Sequence, residues 1–314
     1  MAKSTTIKGI LPFSEVNYTK FLGLYNKDLF PPLESIRPNG ILLSEAKNVD
    51  INDAFKPQRR DGFSLKLSGS YRSLWANNSI ILAVDSGNLI RIIPGDTYTK
   101  QILRANVGDY NMDFVEVGYS EYVYYSNGVV IGYIKNFISN ELPVATITYK
   151  KVMPPGHLIE LFRGRLYVVV GNLVIYSDGA NYNHYDIRED KSFFQFSDRL
   201  TMFRSVLDGI WVSDGRIIMF LDGLSPLKMV RKTVADYGAV EGSAVKISGK
   251  TVGGVFYDNA VIFRAIRGKG ICIGSNSGQF VNLTEDRIIT EDAQIGTAII
   301  REGEINQYLS ITNG

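Results

Sequence analysis

The chain has 314 residues, of which 45% are hydrophobic and 21% charged, and its 34 Lys and Arg residues nearly balance 32 Asp and Glu residues, for a formal net charge of +2. This composition is typical of a globular protein and argues against extensive disorder. Dedicated nucleic-acid-binding proteins usually carry a larger basic excess, so the charge does not favour that class. Cys272 is the only cysteine, which excludes an internal disulfide and a cysteine-based zinc cluster.

The first 40 residues differ from the rest of the chain. Their aromatic residues follow no period, and prolines mark the end of the segment. Such a segment cannot build its own core, so it is either a loosely packed terminus or an arm that inserts aromatic side chains into a neighbouring subunit. The candidate subunit contacts are Phe13, Tyr18, Phe21, Tyr25 and Phe30. The start of the chain has no apolar stretch of the length that a secretory signal needs, so we expect a soluble protein made in a cytosol.

From residue 41 the pattern becomes strand-like. A first hairpin is predicted from Ala46 to Ile51 and Gly62 to Leu67, with turn residues around Pro57. Five further hairpin copies then follow at a spacing of roughly 40 residues. Each consists of a strand, a turn rich in Gly, Asn, Asp or Ser, and a second strand. Their turns lie at Asp85-Ser86-Gly87, Ser126-Asn127-Gly128, Gly171-Asn172, Ser213-Asp214-Gly215 and Ser275-Asn276-Ser277-Gly278.

This recurrence predicts an all-β fold, a β-propeller of five or six blades over residues 41–314 with an N-terminal extended arm over residues 1–40. In the fifth copy, separate strands are predicted from Val252 to Tyr257 and from Ala260 to Ala265. A last strand pair, Thr297 to Arg301 and Ile305 to Ile311, could close the ring against the first hairpin, so six blades are preferred. No long helical period is present, and the span from Asp222 to Val252 is expected to hold an insertion or a short helix.

The search for chemistry predicts no catalytic, cofactor-binding or metal site. His157 and His184 are the only histidines and do not have metal-ligand spacing. Asp178, Asp186, Glu189 and Asp190 cluster near a glycine but lack the alternating pattern of a calcium loop, which favours a solvated loop. Cys272 lies in an apolar run, which indicates a buried small side chain rather than a nucleophile.

Arginines that recur beside turns raise the question of a sialidase-like propeller, because those enzymes use an arginine cluster at the centre of the wheel. Solvated charges at the rim are the favoured interpretation. The residues concerned are Arg59, Arg60, Arg163, Arg165, Arg264 and Arg267.

Three ordered stretches resemble the β-propeller virion proteins of tailed bacteriophages, particularly the tail hub or nozzle proteins of short-tailed phages. The first joins Leu42 to Ile51, Lys56 to Gly62 and Ser73-Leu74-Trp75-Ala76. The second comprises Pro155-Gly156-His157, Leu161 to Val168, Val174 to Ser177 and Tyr182 to Tyr185. The third comprises Gly270 to Gly274 and Gly278 to Glu285, and it ends in Ile305-Asn306-Gln307-Tyr308. The resemblance covers the chain from about residue 40 and leaves the first 40 residues without a counterpart.

The resemblance implies a non-enzymatic structural subunit that forms a homo-oligomeric ring, a hexamer by expectation, in a phage tail. It also implies contacts with neighbouring tail or adaptor proteins, passage of DNA through the channel without membrane insertion, no cofactor, and a place in the virion after synthesis in the host cytoplasm. Three alternatives remain: a head-to-tail adaptor, a receptor- or glycan-binding propeller, and a sialidase-like glycosidase, for which paired carboxylates in the mouth of the wheel would be needed.

Overall fold

In a computed structural model, residues 64–118, 122–188, 192–252, 255–285, 288–302 and 306–313 are described in full, together with the backbone of four strands between residues 20 and 59. The chain divides into two compact units. The first comprises Met1–Gly62 with Asp286–Ile289, and the second comprises Phe63–Glu285 with Thr290–Gly314.

The first unit contains two small sheets. Strand β1 (Lys20–Leu24) pairs in parallel with β2 (Gly40–Leu43), and β3 (Val49–Ile51) pairs antiparallel with β4 (Pro57–Arg59). The prediction that the first hairpin returns at Gly62 to Leu67 is therefore wrong, because the returning strand begins at Pro57 itself. Proline has no N–H to donate, and it is tolerated at the first position of a strand in a sheet that is all edge.

The second unit contains five four-stranded antiparallel sheets that succeed one another along the chain. Within each sheet the strands lie side by side in chain order, as in the blades of a propeller. The first two blades consist of β5 (Tyr71–Ala76), β6 (Ile81–Asp85), β7 (Asn88–Ile93) and β8 (Thr99–Arg104), and of β9 (Asp113–Val117), β10 (Tyr122–Ser126), β11 (Ile131–Lys135) and β12 (Ile138–Asn140).

The third blade has a small accessory sheet beside it. Strand β13 (Lys150–Val152) precedes the blade and pairs with a later strand. The blade and its accessory strand then follow as β14 (Leu158–Phe162), β15 (Arg165–Val170), β16 (Leu173–Tyr176), the accessory strand β17 (His184–Asp186), and β18 (Phe193–Gln195).

The fourth and fifth blades and a final hairpin complete the described chain. The fourth blade consists of β19 (Met202–Ser205), β20 (Gly209–Ser213), β21 (Ile218–Asp222) and β22 (Val230–Ala235). The fifth consists of β23 (Val245–Val252), β24 (Val255–Ala265), β25 (Gly270–Ser275) and β26 (Phe280–Asn282), and the hairpin consists of β27 (Ile295–Arg301) and β28 (Gln307–Asn313).

The five complete blades confirm the predicted all-β propeller, at the lower of the two expected blade numbers. The preferred number of six is not met, since the described residues contain no sixth four-stranded sheet and the final hairpin forms a two-stranded sheet by itself. The expected insertion between Asp222 and Val252 is a 3-10 turn, Pro226–Lys228, followed by the last strand of the fourth blade.

Local turn chemistry explains why most hairpins were predictable. Ser86 and Gly87 both have positive φ, at 49° and 76°, and Arg163 and Gly164 repeat this at 48° and 71°. Two successive left-handed residues make the type of turn whose twist matches an antiparallel hairpin. The prediction of two separate strands in the fifth copy is wrong, because Val255–Ala265 is one strand of eleven residues.

The core consists of layers between successive blades. Leu82 and Phe114 lie in the layer between the first two blades, while Trp211 and Phe263 lie in the layer between the last two. Trp211 is fully buried, and a Cβ built on Gly274 would lie 2.3 Å from its ring. Glycine at this position therefore lets β25 approach the indole closely.

Buried serines at the ends of second strands hold the linkers between blades. Ser126 Oγ donates to the carbonyl of Gly156 at 2.7 Å and accepts from the Gly156 N–H at 2.9 Å. Ser213 Oγ accepts from the N–H of Ala239 at 2.9 Å. Both serines are completely buried, so water cannot replace these bonds.

We expect Ser126→Ala to lower the free energy of unfolding by about 1–3 kcal/mol, because two buried polar groups of Gly156 lose their partner. Urea unfolding followed by tryptophan fluorescence measures the change. Ser79→Ala, at an exposed serine, is the control and should change stability by less than about 0.5 kcal/mol. Equal stability of the two variants would show that the serine does not hold the linker.

Candidate functional site

The innermost strands of the blades carry charged side chains within otherwise apolar sequences. Strand β14 packs between β9 and β19, so the first strands of the second, third and fourth blades are neighbours. Asp113 on β9, Glu160 on β14, Arg204 on β19 and Lys246 on β23 form one connected set, which we call the inner charge network.

Arg204 makes the strongest contacts of this network. Its Nη1 and Nη2 atoms each lie 2.8 Å from one carboxylate oxygen of Asp113, in a bidentate ion pair. The Asp113 carboxylate also accepts from the backbone N–H of Ile159 at 2.9 Å. Burial opposes the charge of Arg204, but the carboxylates of Asp113 and Glu160 outweigh it and raise the pKa of the guanidinium. Arg204 is therefore a permanent cation in this network.

Glu160 connects Arg204 to the fifth blade. Its carboxylate is almost completely buried, lies 3.9 Å from Arg204 Nη1, and accepts from Lys246 Nζ at 3.0 Å. Ser205 Oγ lies 2.9 Å from Glu160 Oε1 and 3.0 Å from Lys246 Nζ. Ser205 Oγ is buried, donates to the ion-paired Glu160 carboxylate and accepts from Lys246, so its hydrogen bonds are used within the network. The arrangement pairs two carboxylates with two cations and binds four blades together.

A similar tie connects the first blade to the second. Asn77, which follows β5, donates from Nδ2 to Glu116 Oε2 at 3.0 Å, and Glu116 lies on β9. Polar contacts at the inner strands thus run from the first blade to the fifth.

The candidate subunit contacts lie almost entirely outside the described residues. Phe21 lies on β1, whose backbone alone is described, and Phe13, Tyr18, Tyr25 and Phe30 lie outside the described part of the chain. Their role in subunit contact stays a prediction.

The acidic cluster considered as a calcium loop is occupied by basic side chains. Lys150 Nζ lies 2.7 Å from Asp178 and 3.5 Å from Asp186, and Arg188 makes a bidentate contact with Asp186. The hydrogen bonds from Arg188 lower the pKa of Asp186, and they outweigh the opposing effect of burial. Glu189 and Asp190 lie outside the described residues, and within the described ones no group of possible metal ligands is found.

The prediction that Cys272 is buried is confirmed. Its side chain is fully inaccessible, and burial raises the pKa of the thiol to about 12. Its nearest polar contact is the hydroxyl of Tyr237, 3.9 Å from Sγ. A thiol that stays protonated at neutral pH is not a nucleophile.

Three of the six recurring arginines tie loops together, so the description of them as solvated rim charges is incomplete. Arg163 donates to the carbonyl of Leu207 at 2.6 Å, and Arg165 donates to that of Ser177 at 2.7 Å. Arg264 donates to the carbonyl of Glu291 at 2.6 Å. The side chains of Arg59 and Arg60 lie outside the described residues.

Both histidines contact backbone carbonyls in linkers or loops. Nε2 of His184 lies 2.8 Å from the carbonyl of Pro143, and Nε2 of His157 lies 2.8 Å from that of Leu200. Burial lowers the pKa of His157 and outweighs the hydrogen bond to Leu200. His157 is therefore a half-buried neutral group that joins two linkers instead of a surface histidine.

The inner charge network is not among the features predicted from the sequence, although the sequence carries a signal for it. Each inner strand places a charged residue among apolar ones, as in the segments DFVEV, LIELF and MFRS. A charge in a buried strand demands a partner, and the recurrence at the first strand of successive blades would have indicated that the partners face one another.

Comparisons with known proteins do not identify a family. No family model and no curated protein matches the chain. Among solved structures, BBS1N in a complex with ARL6DN is 10% identical with a TM-score of 0.49, and the match covers 74% of this chain and 71% of that one. The WD40 β-propeller domain of Doa1 is 11% identical with a TM-score of 0.45, and the match covers 78% of this chain and 83% of that one. Hsv2 of Kluyveromyces lactis is 11% identical with a TM-score of 0.40, and the match covers 82% of this chain and 76% of that one. Similarities this weak say nothing about activity or partners.

The described residues contain no helix long and apolar enough to span a membrane.

We expect Arg204→Met to lower the free energy of unfolding by about 3–5 kcal/mol, because it leaves the Asp113 carboxylate without its cation, while Glu160 keeps Lys246. Lys232→Met is the control, since Lys232 pairs with Asp222 at an exposed position and should cost less than about 1 kcal/mol. Urea unfolding measures both. Adding Asp113→Asn to Arg204→Met should cost less than the sum of the two single changes, and additive effects would contradict a direct pairing.

We expect the stability of the protein to fall as the pH decreases from about 7 to about 5. The pKa of His157 is lower in the folded state than its ordinary value of 6.5, so the unfolded chain takes up a proton first and gains stability in this window. Urea unfolding at stepped pH should give a smaller slope for His157→Gln than for the unchanged protein. Identical slopes would assign the acid sensitivity to another group.

Proposed function

We propose that the chain is a structural subunit of a tailed-bacteriophage virion, which assembles with copies of itself into a ring in the tail, as a nozzle or hub through which DNA leaves. The β-propeller supplies a rigid body, and the ring is expected to be a hexamer. Neighbouring tail or adaptor proteins are the other expected partners, and the protein reaches the virion after synthesis in the host cytoplasm.

The observation that carries this proposal is that charged side chains on the inner strands pair with one another between blades. The carboxylates of half-buried Asp113 and buried Glu160 are compensated by Arg204 and Lys246, and this makes the network a brace between blades. A glycosidase needs one carboxyl group held as an acid and another as a base or nucleophile, and each must be open to substrate. Bracing favours a mechanical role over a sialidase-like one, so we propose that the chain is not an enzyme.

Two further features support the phage assignment. The stretches that resemble phage propellers fall on positions with structural tasks, such as Gly156 and His157 in a linker and the turn Arg163-Gly164. The net charge of +2 also suits a channel subunit, because DNA that must pass quickly should not be held by a basic surface.

The proposal predicts that the purified full-length protein forms a ring whose mass is a multiple of 35.0 kDa. Light scattering coupled to size-exclusion chromatography measures the mass, and electron microscopy shows the ring symmetry. Mass spectrometry of purified phage particles, with immunogold labelling of the tail, tests the location.

A monomer that is absent from particles would overturn the proposal. A ring located at the head-to-tail junction would support the adaptor alternative instead. Binding of host-surface glycans by a particle-bound monomer would favour the receptor-binding alternative. Deleting residues 1–40 tests the arm separately, since unchanged assembly would show that the arm is not the linking element.

A further inference from the structure

The final hairpin of the chain occupies one face of the fifth blade. Strands β27 and β28 pair in register from Ile295 and Asn313 to Arg301 and Gln307. Ile300 and Tyr308 pack against the fifth blade, and the Tyr308 hydroxyl donates to the carbonyl of Ser243 at 2.7 Å. The hairpin thus lies against this blade as a neighbouring blade would, but with two strands instead of four.

The opposite face of the hairpin carries three exposed isoleucines among polar residues such as Thr297 and Arg301. Because side chains alternate along a strand, Ile295, Ile299 and Ile311 point away from the fifth blade. They are 50%, 50% and 74% exposed. These isoleucines form a small exposed apolar patch beside the edge of β28.

That edge lacks the protection found on the outermost strand of every blade. Strands β12, β18 and β26 are three residues long, which leaves little backbone to pair with. Strand β8 carries Lys100 and Arg104, and β22 carries Arg231 and Lys232. Short length and basic side chains are the usual ways in which proteins prevent pairing at a sheet edge.

Strand β28 has neither feature. Its seven residues, QYLSITN, include no charge and no proline, and among the described strands it pairs only with β27. Its outward N–H and C=O groups therefore form a ready template for another strand.

We propose that the free edge of β28 is a subunit contact, at which an extended segment of a second copy of this chain adds to the sheet and covers Ile299 and Ile311. The inference rests on the proposed self-assembly and names its site. An uncharged strand accepts a partner without like-charge repulsion, and a net charge of +2 over 314 residues lets identical chains approach closely. In a ring each copy offers one such edge and supplies one strand, which is the head-to-tail contact that cyclic symmetry requires.

The test compares Ile311→Lys with the matched control Ile138→Lys. Both positions are exposed isoleucines on outermost strands, at 74% and 63% exposure, but β12 is too short to template a strand. In Ile311→Lys we expect the dissociation constant of the assembly, measured by light scattering over a concentration series, to rise about tenfold or more. Ile138→Lys should assemble like the unchanged protein.

Hydrogen exchange of the unchanged full-length protein gives an independent readout. The amides of Gln307–Asn313 should exchange slowly in the assembly and become faster when dilution separates the subunits. Circular dichroism checks the fold of each variant, and Ile311→Thr, which keeps a β-branched side chain, replaces the lysine variant if that does not fold.

The outcomes separate this inference from the proposed function. If the unchanged protein assembles, Ile311→Lys assembles equally well, and the β28 amides exchange rapidly, then the contact is overturned and the ring proposal stands. If the unchanged protein is monomeric at every concentration and absent from particles, both are overturned. If the β28 amides are protected from exchange only when a different virion protein binds, then the proposal that a second copy occupies this edge is overturned.

Discussion

The guanidinium of Arg204 lies between the carboxylates of Asp113 and Glu160, at the place where the first strands of successive blades meet. A buried charge is tolerated only when its partner is present, so Asp113 and Arg204 require each other although 91 residues separate them. The requirement extends through Glu160 to Lys246 on the fifth blade. Apolar layers between the blades supply most of the buried surface. The charge network determines which inner strands are neighbours, because the geometry of its ion pairs tolerates little displacement.

Other contacts in the propeller body hold the blades in the same arrangement. The linkers that lead to the third and fifth blades are held by the buried hydroxyls of Ser126 and Ser213. His157 and Arg163 add contacts between consecutive blades through backbone carbonyls. Side chains that might suggest chemistry in isolation are therefore engaged in joining blades. A body braced in this way is rigid, which is what the proposed ring subunit requires.

The outside of the propeller body follows a different rule. The outermost strand of each blade is short or carries basic side chains, whereas β28 is long and uncharged. An unprotected edge would be a liability in a protein that works alone, since it invites pairing. In a subunit of an assembly it is useful, and it would give the contact backbone hydrogen bonds that need no particular side chain.

The amino-acid sequence by itself determined the β class, the recurrence of hairpins and most of their turns, because residues such as Gly87 and Gly164 adopt left-handed backbone at little cost. It also predicted the burial of Cys272, since an apolar run around a small side chain indicates a core position. The short outer strands β12, β18 and β26 were only partly visible, because three residues carry too little alternation to read. Only the tertiary structure decided that Asp113, Glu160, Arg204 and Lys246 form one network and that, among the described strands, β28 pairs only with β27. Pairing between distant strands depends on how blades stack, and periodicity within a single strand holds no information about that.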